Sequence, residues 1–511
     1  MNMKTIKTWV LLVAGLLLTA GCANDDTASK DNEQEPGTEG LTSFVEENNA
    51  TRTTAEYDNG GLNFFWTAGD RLWVNNGALT QDSKNNINST LELHPTMPTT
   101  AVKRVAKAKF WFAGTFTASS YPVRYTGKNG ASNKVTIKAN QAQTVPNDAS
   151  HIGEDGDCGV ATATKPVGSE TYGFTLDHKA AYATFLPYNS NRVAADFVIQ
   201  KITIMADQAL CGTFDFNDNG IDVGSRPAPT AANKVVELTL NNFPIPATAT
   251  PTTNAATAVI APGSYTNFIV IYTLHNPITN QTGTVTKQYP GTVTFTEGKN
   301  KKISQNLPPD YSAAGYYMWD AAADKPYWYG HLDSNGIPDG NYPQTNTDSR
   351  WYREDASWPC PSANRSCKDC PNANECIWYA MQGDPHYDDG DELWTMMGHL
   401  YQCGMWFKKK DHILGFTASN YNGTDYRTTA PYFTNSDTNH GKPGNIKDYF
   451  YLPASGFYIN GTLIDVDRGY YWSSTPSPTG TGNACALDFS FGDVNVSDNL
   501  RNNGFRLWKA Q

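Results

Sequence analysis

The clearest hydrophobic pattern in the chain lies in its last sixty residues, 451–511. Every second residue from Cys485 to Phe491 is apolar, a period of two that predicts a half-buried β-strand. A Gly-Asp turn then leads to a second alternating segment that begins at Val494, and an Asn-Asn-Gly turn leads to a last short strand at 505–507. This part of the sequence therefore predicts a compact β-sheet.

Short apolar or alternating segments, separated by polar loops, also run through the first 310 residues. A strand at 62–66 precedes a Gly-Asp turn and a second strand that reaches Val74. Further strands are predicted at 107–112, 123–125, 135–137, 202–205, 268–274 and 293–307. No long segment has a helical period, so this part of the chain is expected to be all β.

Two segments in the last 200 residues predict helices. The first is 372–381, which a Gly-Asp-Pro sequence ends. The second would be capped by Asp391 and would place Leu393, Trp394 and Met397 on one face before Gly404. At this spacing, Trp394 is expected to lie in the core.

Length and composition narrow the fold and the environment. A chain of 511 residues is too long for one hydrophobic core, and two or three domains are expected. Aromatic residues make up 12% of the chain and charged residues 17%, as in extracellular β-rich proteins. The net charge of -11 argues against a nucleic-acid partner. Catalytic motifs such as G-x-S-x-G or H-E-x-x-H are not found, and an enzyme is not expected.

The N-terminus predicts export. Residues 1–21 carry two lysines and then an apolar run, a signal peptide that is too short to span a membrane. Thr-Ala-Gly before Cys22 resembles a bacterial lipobox, so Cys22 is predicted to be lipidated, with a bare secretory signal as the alternative. Residues 22–40 contain six acidic residues and predict a disordered tether. The acidic residues at the start of this tether resemble a signal that sorts lipoproteins to the outer membrane. The alternative is a linker without a sorting role.

Three motifs resemble the fimbrillin family, the pilus subunits of Bacteroidales. They are an Arg-Thr sequence before a Trp-x-x-Gly-Asp turn at 66–70, an F-x3-H-x2-A-x3-F element at 174–185, and ALCGTF at 209–214. The resemblance implies two β-sandwich domains, at 41–165 and 166–310. It also implies polymerisation by strand exchange, in which a protease removes the first strand and a neighbour's strand replaces it. The protease is predicted to cut after Arg52, so that the mature chain starts at Thr53. The alternative is that Arg52 is an ordinary exposed arginine at which no cut occurs.

His178, within the second of these motifs, is the most tempting catalytic residue. No nucleophile or second ligand stands at a useful spacing from it. A buried structural histidine with satisfied hydrogen bonds is therefore the preferred interpretation.

Residues 311–511 differ in composition from the rest, with nine of the thirteen Trp and six of the nine Cys. The runs CKDCPNANE, GHLYQCGMWFKKK, LPASGF and GYYWSST resemble C-type-lectin-like domains that follow fimbrillin-type subunits. The resemblance implies an α+β domain with two helices before a strand-rich half. The fold class is therefore predicted to be mainly β: two sandwiches followed by an α+β C-type-lectin-like domain.

The cysteines of this last segment allow three interpretations. In an exported chain they favour disulfides, four closely spaced thiolates could instead hold zinc, and some could stay free. The six candidates are Cys360, Cys367, Cys370, Cys376, Cys403 and Cys485.

Two further groups could bind ligands. Asp388, Asp389, Asp391 and Glu392 offer carboxylates suited to calcium, although a solvated turn with a helix cap explains them as well. No other cofactor is expected. If the aromatic residues bind a glycan, exposed rings at Tyr470, Tyr471 or Trp508 are the candidates.

These observations predict a lipid-anchored precursor of a fimbrial subunit on the cell surface, a tip or minor adhesin whose C-terminal residues close a folded domain. Its expected partners are other pilus subunits and a host or bacterial surface protein or glycan. The alternative is a surface glycan-binding lipoprotein that does not polymerise. The sequence identifies neither the adhesion ligand nor the disulfide connectivity.

Overall fold

The structure is a computed structural model that describes residue 35 and residues 37–47, 54–58, 60–92, 103–128, 130–191, 195–334, 336–356 and 362–511. Strands dominate the described residues, which confirms the predicted mainly β fold. Helices are short, and within these ranges none has the length and apolar character needed to cross a membrane.

The first part of the chain forms one large mixed sheet and one two-stranded hairpin, and two of its strands pair with strands of the second part. Its strands are β1 (Thr42–Glu46), β2 (Thr54–Asp58), β3 (Gly61–Phe65), β4 (Trp73–Asn75), β5 (Leu79–Gln81), β6 (Lys84–Asn85), β7 (Lys109–Phe112), β8 (Ser120–Tyr125), β9 (Lys134–Ile137), β10 (Asn140–Gln143), β11 (Gly159–Thr164), β12 (Tyr172–Phe174) and β13 (Asp177–His178). Two helices, α1 (Ile87–Glu92) and α2 (Ile152–Asp155), connect them. The sheet has the order β5-β4-β8-β11-β12-β1-β7-β6, with β13 beside β11.

The large sheet curls around one tryptophan. The indole of Trp66 contacts Phe110 of β7 at 5.1 Å and Tyr125 of β8 at 5.7 Å between ring centroids. Because β7 and β8 stand four places apart in the sheet, both can reach Trp66 only if the sheet bends over it. The Trp-x-x-Gly-Asp motif fixes this geometry, since Asp70 accepts hydrogen bonds from the Thr67 N–H (2.7 Å) and the Tyr125 hydroxyl (2.8 Å).

The second part of the chain is a β-sandwich. Its strands are β14 (Ala181–Tyr188), β15 (Val198–Met205), β16 (Gly212–Asn217), β17 (Gly220–Ile221), β18 (Val235–Pro244), β19 (Ala256–Ile260), β20 (Gly263–Tyr265), β21 (Phe268–Asn276), β22 (Gln281–Tyr289), β23 (Val293–Phe295) and β24 (Asn300–Asn306), with one short helix, α3 (Pro251–Asn254). A five-stranded sheet, β10-β18-β15-β21-β22, faces a three-stranded sheet, β19-β14-β24. Phe185 and Tyr272 meet between the two sheets.

The predicted boundary between residues 165 and 166 does not separate the two units. β10 pairs in parallel with β18 of the sandwich, and β9 pairs with β16. Ala55 of β2 and Phe64 of β3 also lie in the core of the sandwich. In the other direction, β12 and β13 belong to the first sheet although they follow residue 165. The two units are interlocked by long-range strand pairing, which no local sequence pattern signals.

The third part of the chain packs one helix against a six-stranded sheet. Its elements are β25 (Tyr316–Tyr317), α4 (Ala373–Gln382), β26 (His386–Asp388), β27 (Trp394–Met396), β28 (His399–Tyr401), β29 (Gly404–Lys408), β30 (Phe433–Asn435), β31 (Asn439–His440), β32 (Tyr449–Pro453), β33 (Phe457–Ile459), β34 (Thr462–Ile464), β35 (Gly469–Pro476), β36 (Asn483–Phe489), β37 (Val494–Leu500) and β38 (Phe505–Arg506). The larger sheet has the order β25-β38-β35-β36-β37-β30, and a second sheet has the order β31-β26-β29-β32. Short 3-10 turns in the second and third parts lie at Val223–Ser225, Ala313–Gly315, Lys410–His412 and Ile446–Asp448.

The first of the two predicted helices is confirmed. In α4, the Asn372 side chain accepts a hydrogen bond from the Glu375 N–H (3.1 Å), and the Glu375 carboxylate accepts one from the Asn372 N–H (2.8 Å). This reciprocal capping box satisfies two N–H groups that the helix start would leave unpaired. The helix ends at Gly383, as its sequence predicts.

The second predicted helix is wrong. Residues 394–401 form the β27–β28 hairpin, in which Met397 (φ 47°) and Gly398 (φ 74°) make the turn. Trp394 stacks on Tyr401 across the hairpin at 4.6 Å. Backbone hydrogen bonds from Thr395 to Pro309 (2.8 Å) and from Tyr311 to Thr395 (2.7 Å) hold β27 extended. Tertiary pairing thus overrides the helical spacing, although Trp394 is buried as expected.

The third part covers an edge of the sandwich. β22 is the last strand of its sheet, and residues 391–393 continue that sheet through backbone hydrogen bonds between Thr284 and both Asp391 (2.6 Å) and Leu393 (2.8 Å). Between them, the Glu392 carboxylate pairs with Lys442 (2.8 Å) and accepts bonds from the N–H (2.6 Å) and hydroxyl (2.9 Å) of Thr286. Both charged side chains are largely buried here.

This interface depends on the Glu392–Lys442 pair. We expect Glu392→Gln to weaken the association of the third unit with β22 by about 3–5 kcal/mol, because it leaves the Lys442 ammonium buried without a counterion. Hydrogen exchange of the β22 amides should accelerate in the variant. Asp369→Asn is the matched control, since Asp369 pairs with Lys509 at an exposed site (3.2 Å) where such pairs contribute about 0–1 kcal/mol. Equal exchange in both variants would contradict this account.

Candidate functional site

The most distinctive feature of the first unit is the position of its first strand. β1 lies inside the large sheet, parallel to β12 with Phe44 opposite Tyr172, and antiparallel to β7 with Phe44 opposite Phe110. An interior strand satisfies backbone groups of two neighbours at once, so its removal would expose two sheet edges. We call the space that β1 fills the β1 slot.

One aromatic side chain anchors β1 in this slot. Phe44 is completely buried, stacks on Tyr172 at 4.7 Å, and meets the rings of Phe112 and Phe116 edge to face at 5.0 and 5.4 Å. Burial of one phenylalanine contributes about 1.5–3 kcal/mol before these ring contacts are added. The slot therefore has an aromatic pocket that selects a large side chain at the third residue of β1.

Polar contacts fix the register of the strand. The Ser43 hydroxyl lies 2.8 Å from that of Thr171, next to β12. Beyond β1, the Glu47 N–H donates to the Phe174 carbonyl (2.9 Å). A shift of β1 by one residue relative to its neighbours would move Phe44 to the opposite face of the sheet. The burial of Phe44 and the polar contacts therefore favour the same register.

β1 and β2 belong to different cores. Phe44 lies in the core of the first unit, whereas Ala55 of β2 lies in the core of the sandwich. The connection between these strands contains Arg52 and Thr53, which lie outside the described residues. A cut in this connection would free β1 from the chain without removing β2 from its own core.

The cysteines do not show the predicted disulfides. The described candidates Cys367, Cys370, Cys376, Cys403 and Cys485 are all free, and only Cys403 is not fully buried. The Cys367 thiol accepts a hydrogen bond from the Asp320 N–H (3.1 Å), and burial raises the pKa of Cys485 to about 12. Cys22 and Cys360 lie outside the described residues.

The acidic residues at 388–392, predicted as a calcium site, make separate contacts. Asp388 accepts a hydrogen bond from the Trp406 indole (2.9 Å), Glu392 is paired with Lys442, and Asp389 and Asp391 take no part in these contacts. Across the described ranges, no group of three or more His, Cys, Asp or Glu side chains could hold a metal ion. Two of the four carboxylates thus serve the structure of the domain and its interface, and calcium binding stays a prediction.

The three aromatic candidates are not exposed, contrary to the prediction. Tyr470, Tyr471 and Trp508 are 8%, 2% and 6% exposed. Their polar atoms bond internally: the Tyr471 hydroxyl donates to the Pro453 carbonyl (2.7 Å) and the Trp508 indole to the Trp472 carbonyl (2.9 Å). Strand alternation alone did not reveal that β35 is covered on both faces.

His178 is buried, as its structural interpretation predicts, but its Nε2 atom has no hydrogen-bond partner among the described residues. Its Nδ1 atom lies 2.8 Å from the Asp157 carboxylate, and Phe64 stacks on the imidazole at 3.8 Å. Because His178 lies on β13, the ring packs β3 against the first sheet. The functional residue that the sequence did not reveal is Phe44, whose only signal is a lone aromatic between the acidic tether and a polar segment.

Neither a protein-family model nor a curated protein matches this sequence. Among solved structures, the chain is similar to a protein of Bacteroides ovatus assigned to cell adhesion, with 14% identity and a TM-score of 0.29 over 52% of this chain and 94% of that one. A fimbrial assembly protein of Parabacteroides distasonis has 12% identity and a TM-score of 0.24 over 52% and 90%. A fimbrial protein of Bacteroides ovatus has 11% identity and a TM-score of 0.20 over 91% and 98%. Because each TM-score lies below 0.5, these similarities do not establish a shared fold.

The aromatic anchor can be tested directly. We expect Phe44→Ala to lower the free energy of unfolding of the first unit by about 3–5 kcal/mol, because it leaves a cavity among the rings of Tyr172, Phe112 and Phe116. Faster hydrogen exchange of the β7 and β12 amides would report the loss. Val45→Ala is the control within the same strand, since Val45 is only half-buried. An equal effect of the two variants would show that Phe44 does not anchor β1.

Proposed function

We propose that this chain is the exported precursor of a fimbrial subunit with an adhesive role. In this proposal, a protease cuts after Arg52, β1 leaves the β1 slot, and a strand of a neighbouring subunit takes its place. The observation that carries the proposal is the interior position of β1 between β7 and β12, with Phe44 buried in an aromatic pocket.

Several features make the exchange physically reasonable. β1 has only five residues, so few hydrogen bonds must break for it to leave. The vacated slot would keep two backbone edges and one apolar pocket, the combination by which added strands gain affinity and register. The incoming strand must run parallel to β12 and carry a large apolar side chain where Phe44 stands.

Export and anchoring belong to the same proposal. The signal peptide at 1–21 would deliver the precursor to the lipidation machinery, and acyl chains on Cys22 would hold it at the outer membrane. The tether at 22–40 would give a protease access to the connection that contains Arg52. Cleavage would release the chain from its lipid when the slot becomes free.

The third unit is the proposed adhesive part, with a host or bacterial surface protein or glycan as its partner. Its last strand, β38, pairs with β25 and β35, and Trp508 packs in the core beside it. These residues therefore cannot be donated to a neighbour without disrupting the domain. Within this proposal, the subunit takes a tip or minor position in the fibre.

A second candidate function is that of a monomeric glycan-binding lipoprotein. The observation that favours it is a pair of cavities that are both lined by Tyr311 and Tyr451 of the third unit, the larger of which also borders β22 of the sandwich. Binding in these cavities would need no strand exchange. The two functions differ in whether the N-terminus is processed.

The processing step is tested by N-terminal sequencing of the protein from sheared surface fibres. We expect a start at Thr53 for the native chain, because cleavage after Arg52 frees β1. Arg52→Ala should keep the lipid-modified Cys22 and stay out of the fibres, whereas the exposed Arg365→Ala should be processed normally. If Arg52→Ala also enters fibres with a start at Thr53, another residue directs the cut.

The position in the fibre is tested by immunogold electron microscopy with antibodies to the third unit. A tip subunit should be labelled once, at the distal end of each fibre, because no further subunit is added beyond it. Antibodies to the major fibre protein serve as the control for labelling along the shaft. Even labelling along the fibre by the third-unit antibodies would refute the tip position.

A further inference from the structure

The smaller of the two cavities has one charged side chain in its wall. It encloses about 310 Å³ and is bordered by β25, β32 and β38. Arg506 of β38 lines it, although only 6% of this residue is exposed. The other lining residues are all uncharged, among them Tyr317, Leu452 and Leu507. We call this space the Arg506 cavity.

Two of the three guanidinium nitrogens of Arg506 are bonded inside the third unit. Nε donates to the Ser455 hydroxyl (3.2 Å), and Nη2 donates to the Tyr311 carbonyl (2.8 Å). The guanidinium carbon also lies over the ring of Tyr316, 4.1 Å from its centroid. These contacts hold the guanidinium group in one orientation.

The third nitrogen, Nη1, is left for a ligand. Within the described part of the chain it has no hydrogen-bond partner, yet it is not one of the polar atoms that are sealed from solvent. It lies beside Gly315, which also lines the cavity, and a Cβ atom on that glycine would stand only 2.3 Å from it. The missing side chain of Gly315 thus leaves the room that Nη1 occupies at the cavity wall.

The charge of Arg506 is not compensated by an acid. None of the described carboxylates forms an ion pair with it, and Glu392, which borders the larger cavity, is paired with Lys442. Arg501 is buried as well, but each of its three guanidinium nitrogens donates to a main-chain carbonyl. A buried cation without a counterion is unfavourable, so an anion in the Arg506 cavity would be stabilised.

The size of the binding group favours a carboxylate. A phosphate group brings three acceptor oxygens and close to two negative charges. The Arg506 cavity offers one cationic nitrogen in a wall that is otherwise uncharged. A carboxylate brings a single charge and accepts a short, charge-assisted hydrogen bond from a guanidinium.

The strand beside the cavity favours a carboxylate that belongs to a polypeptide. β32 is the last strand of its sheet. The Tyr449 and Pro453 carbonyls point away from β29, since each accepts a bond from a side chain outside that sheet, at 2.9 and 2.7 Å. By the alternation of an antiparallel strand, the N–H and C=O of Tyr451 point the same way. A donor and an acceptor on one residue match the main chain of an extended peptide.

We propose that the Arg506 cavity binds a carboxylate group of a partner protein. The carboxylate would accept a hydrogen bond from Nη1, and the main chain that carries it would pair with Tyr451. The carboxylate belongs to an aspartate, a glutamate or a C-terminus. The inference names the partner of the adhesive role proposed above and rests on that role. It does not require strand exchange, and its test uses the intact, unassembled chain.

The test is binding of the full chain to a printed array of short peptides. Each peptide has one carboxylate, on an aspartate, on a glutamate or at its C-terminus, and all pairs of flanking residues are represented. Each has a neutral twin with asparagine, glutamine or a C-terminal amide instead. We expect at least one acidic peptide to bind about ten- to hundredfold more tightly than its twin, the effect of one charge-assisted hydrogen bond. The side-chain and C-terminal sets show which source the site takes.

Two variants test the assignment to Arg506. Arg506→Gln removes the charge and should abolish the difference between an acidic peptide and its twin. Gly315→Ala keeps the charge, but its methyl group takes the room of Nη1 and should weaken the acidic peptide at least about threefold. The control is Arg365→Gln, which removes an exposed arginine of the same unit outside the cavity and should bind like the native chain.

Thermal melts establish which variants fold, and Gly315→Ala decides if Arg506→Gln does not. The inference is overturned if every twin binds as well as its acidic peptide, or if a folded variant at either position binds the acidic peptide as tightly as the native chain. It is also overturned if sialylated glycans on the same array bind and the peptides do not. None of these outcomes changes the N-terminal processing result, so the carboxylate site and the strand exchange are tested separately.

Discussion

Unpaired sheet edges are the constraint that organises this molecule. A strand at an edge leaves a row of N–H and C=O groups that must meet water, another strand or a ligand. β1 removes two such edges in the first unit, and residues 391–393 cover the edge at β22. β32 is the edge that opens onto a cleft, with side chains bonded to its carbonyls at Tyr449 and Pro453.

The same constraint explains why the first two units cannot be described as consecutive domains. β10 satisfies the outer edge of β18, and the β2–β3 hairpin contributes Phe64 to a core that most of its sequence neighbours do not share. Each unit therefore completes the other. β1 is different, because its contacts are confined to the first unit: the aromatic pocket, the polar contacts near Thr171 and Phe174, and the edges of β7 and β12.

Local patterns in the sequence were sufficient where short-range contacts decide the structure. The alternation around Cys485 and Val494 gives β36 and β37, and the capping box of Asn372 and Glu375 starts α4 where predicted. The abrupt change in composition after residue 310 predicted a third unit at 311–511. The WTAGD turn was recognised as well, although the sequence could not show that Asp70 bonds to Tyr125.

Sequence patterns failed where contacts between distant segments decide. Leu393 and Trp394 fit a helical spacing, yet Leu393 packs on Gly283, a residue more than a hundred positions earlier, and this contact keeps the segment extended. Tyr470 and Tyr471 were wrongly predicted to be exposed, because no local sequence pattern shows that both faces of a strand are covered. Phe44 was missed for a related reason: its aromatic pocket comes from β7, β12 and the loop that contains Phe116.

The contacts between the units also determine how a mechanical force would pass through the chain. A force on the third unit would reach β22 through residues 391–393 and the Glu392–Lys442 pair. β22 is bonded along its length to β21, in the sheet that contains β10 from the first part of the chain. Tension would therefore be shared among several strands that run through both units. The β1 slot lies at the other end of this path. A strand in that slot is held on both sides, by β7 and by β12, and would therefore share the force as well.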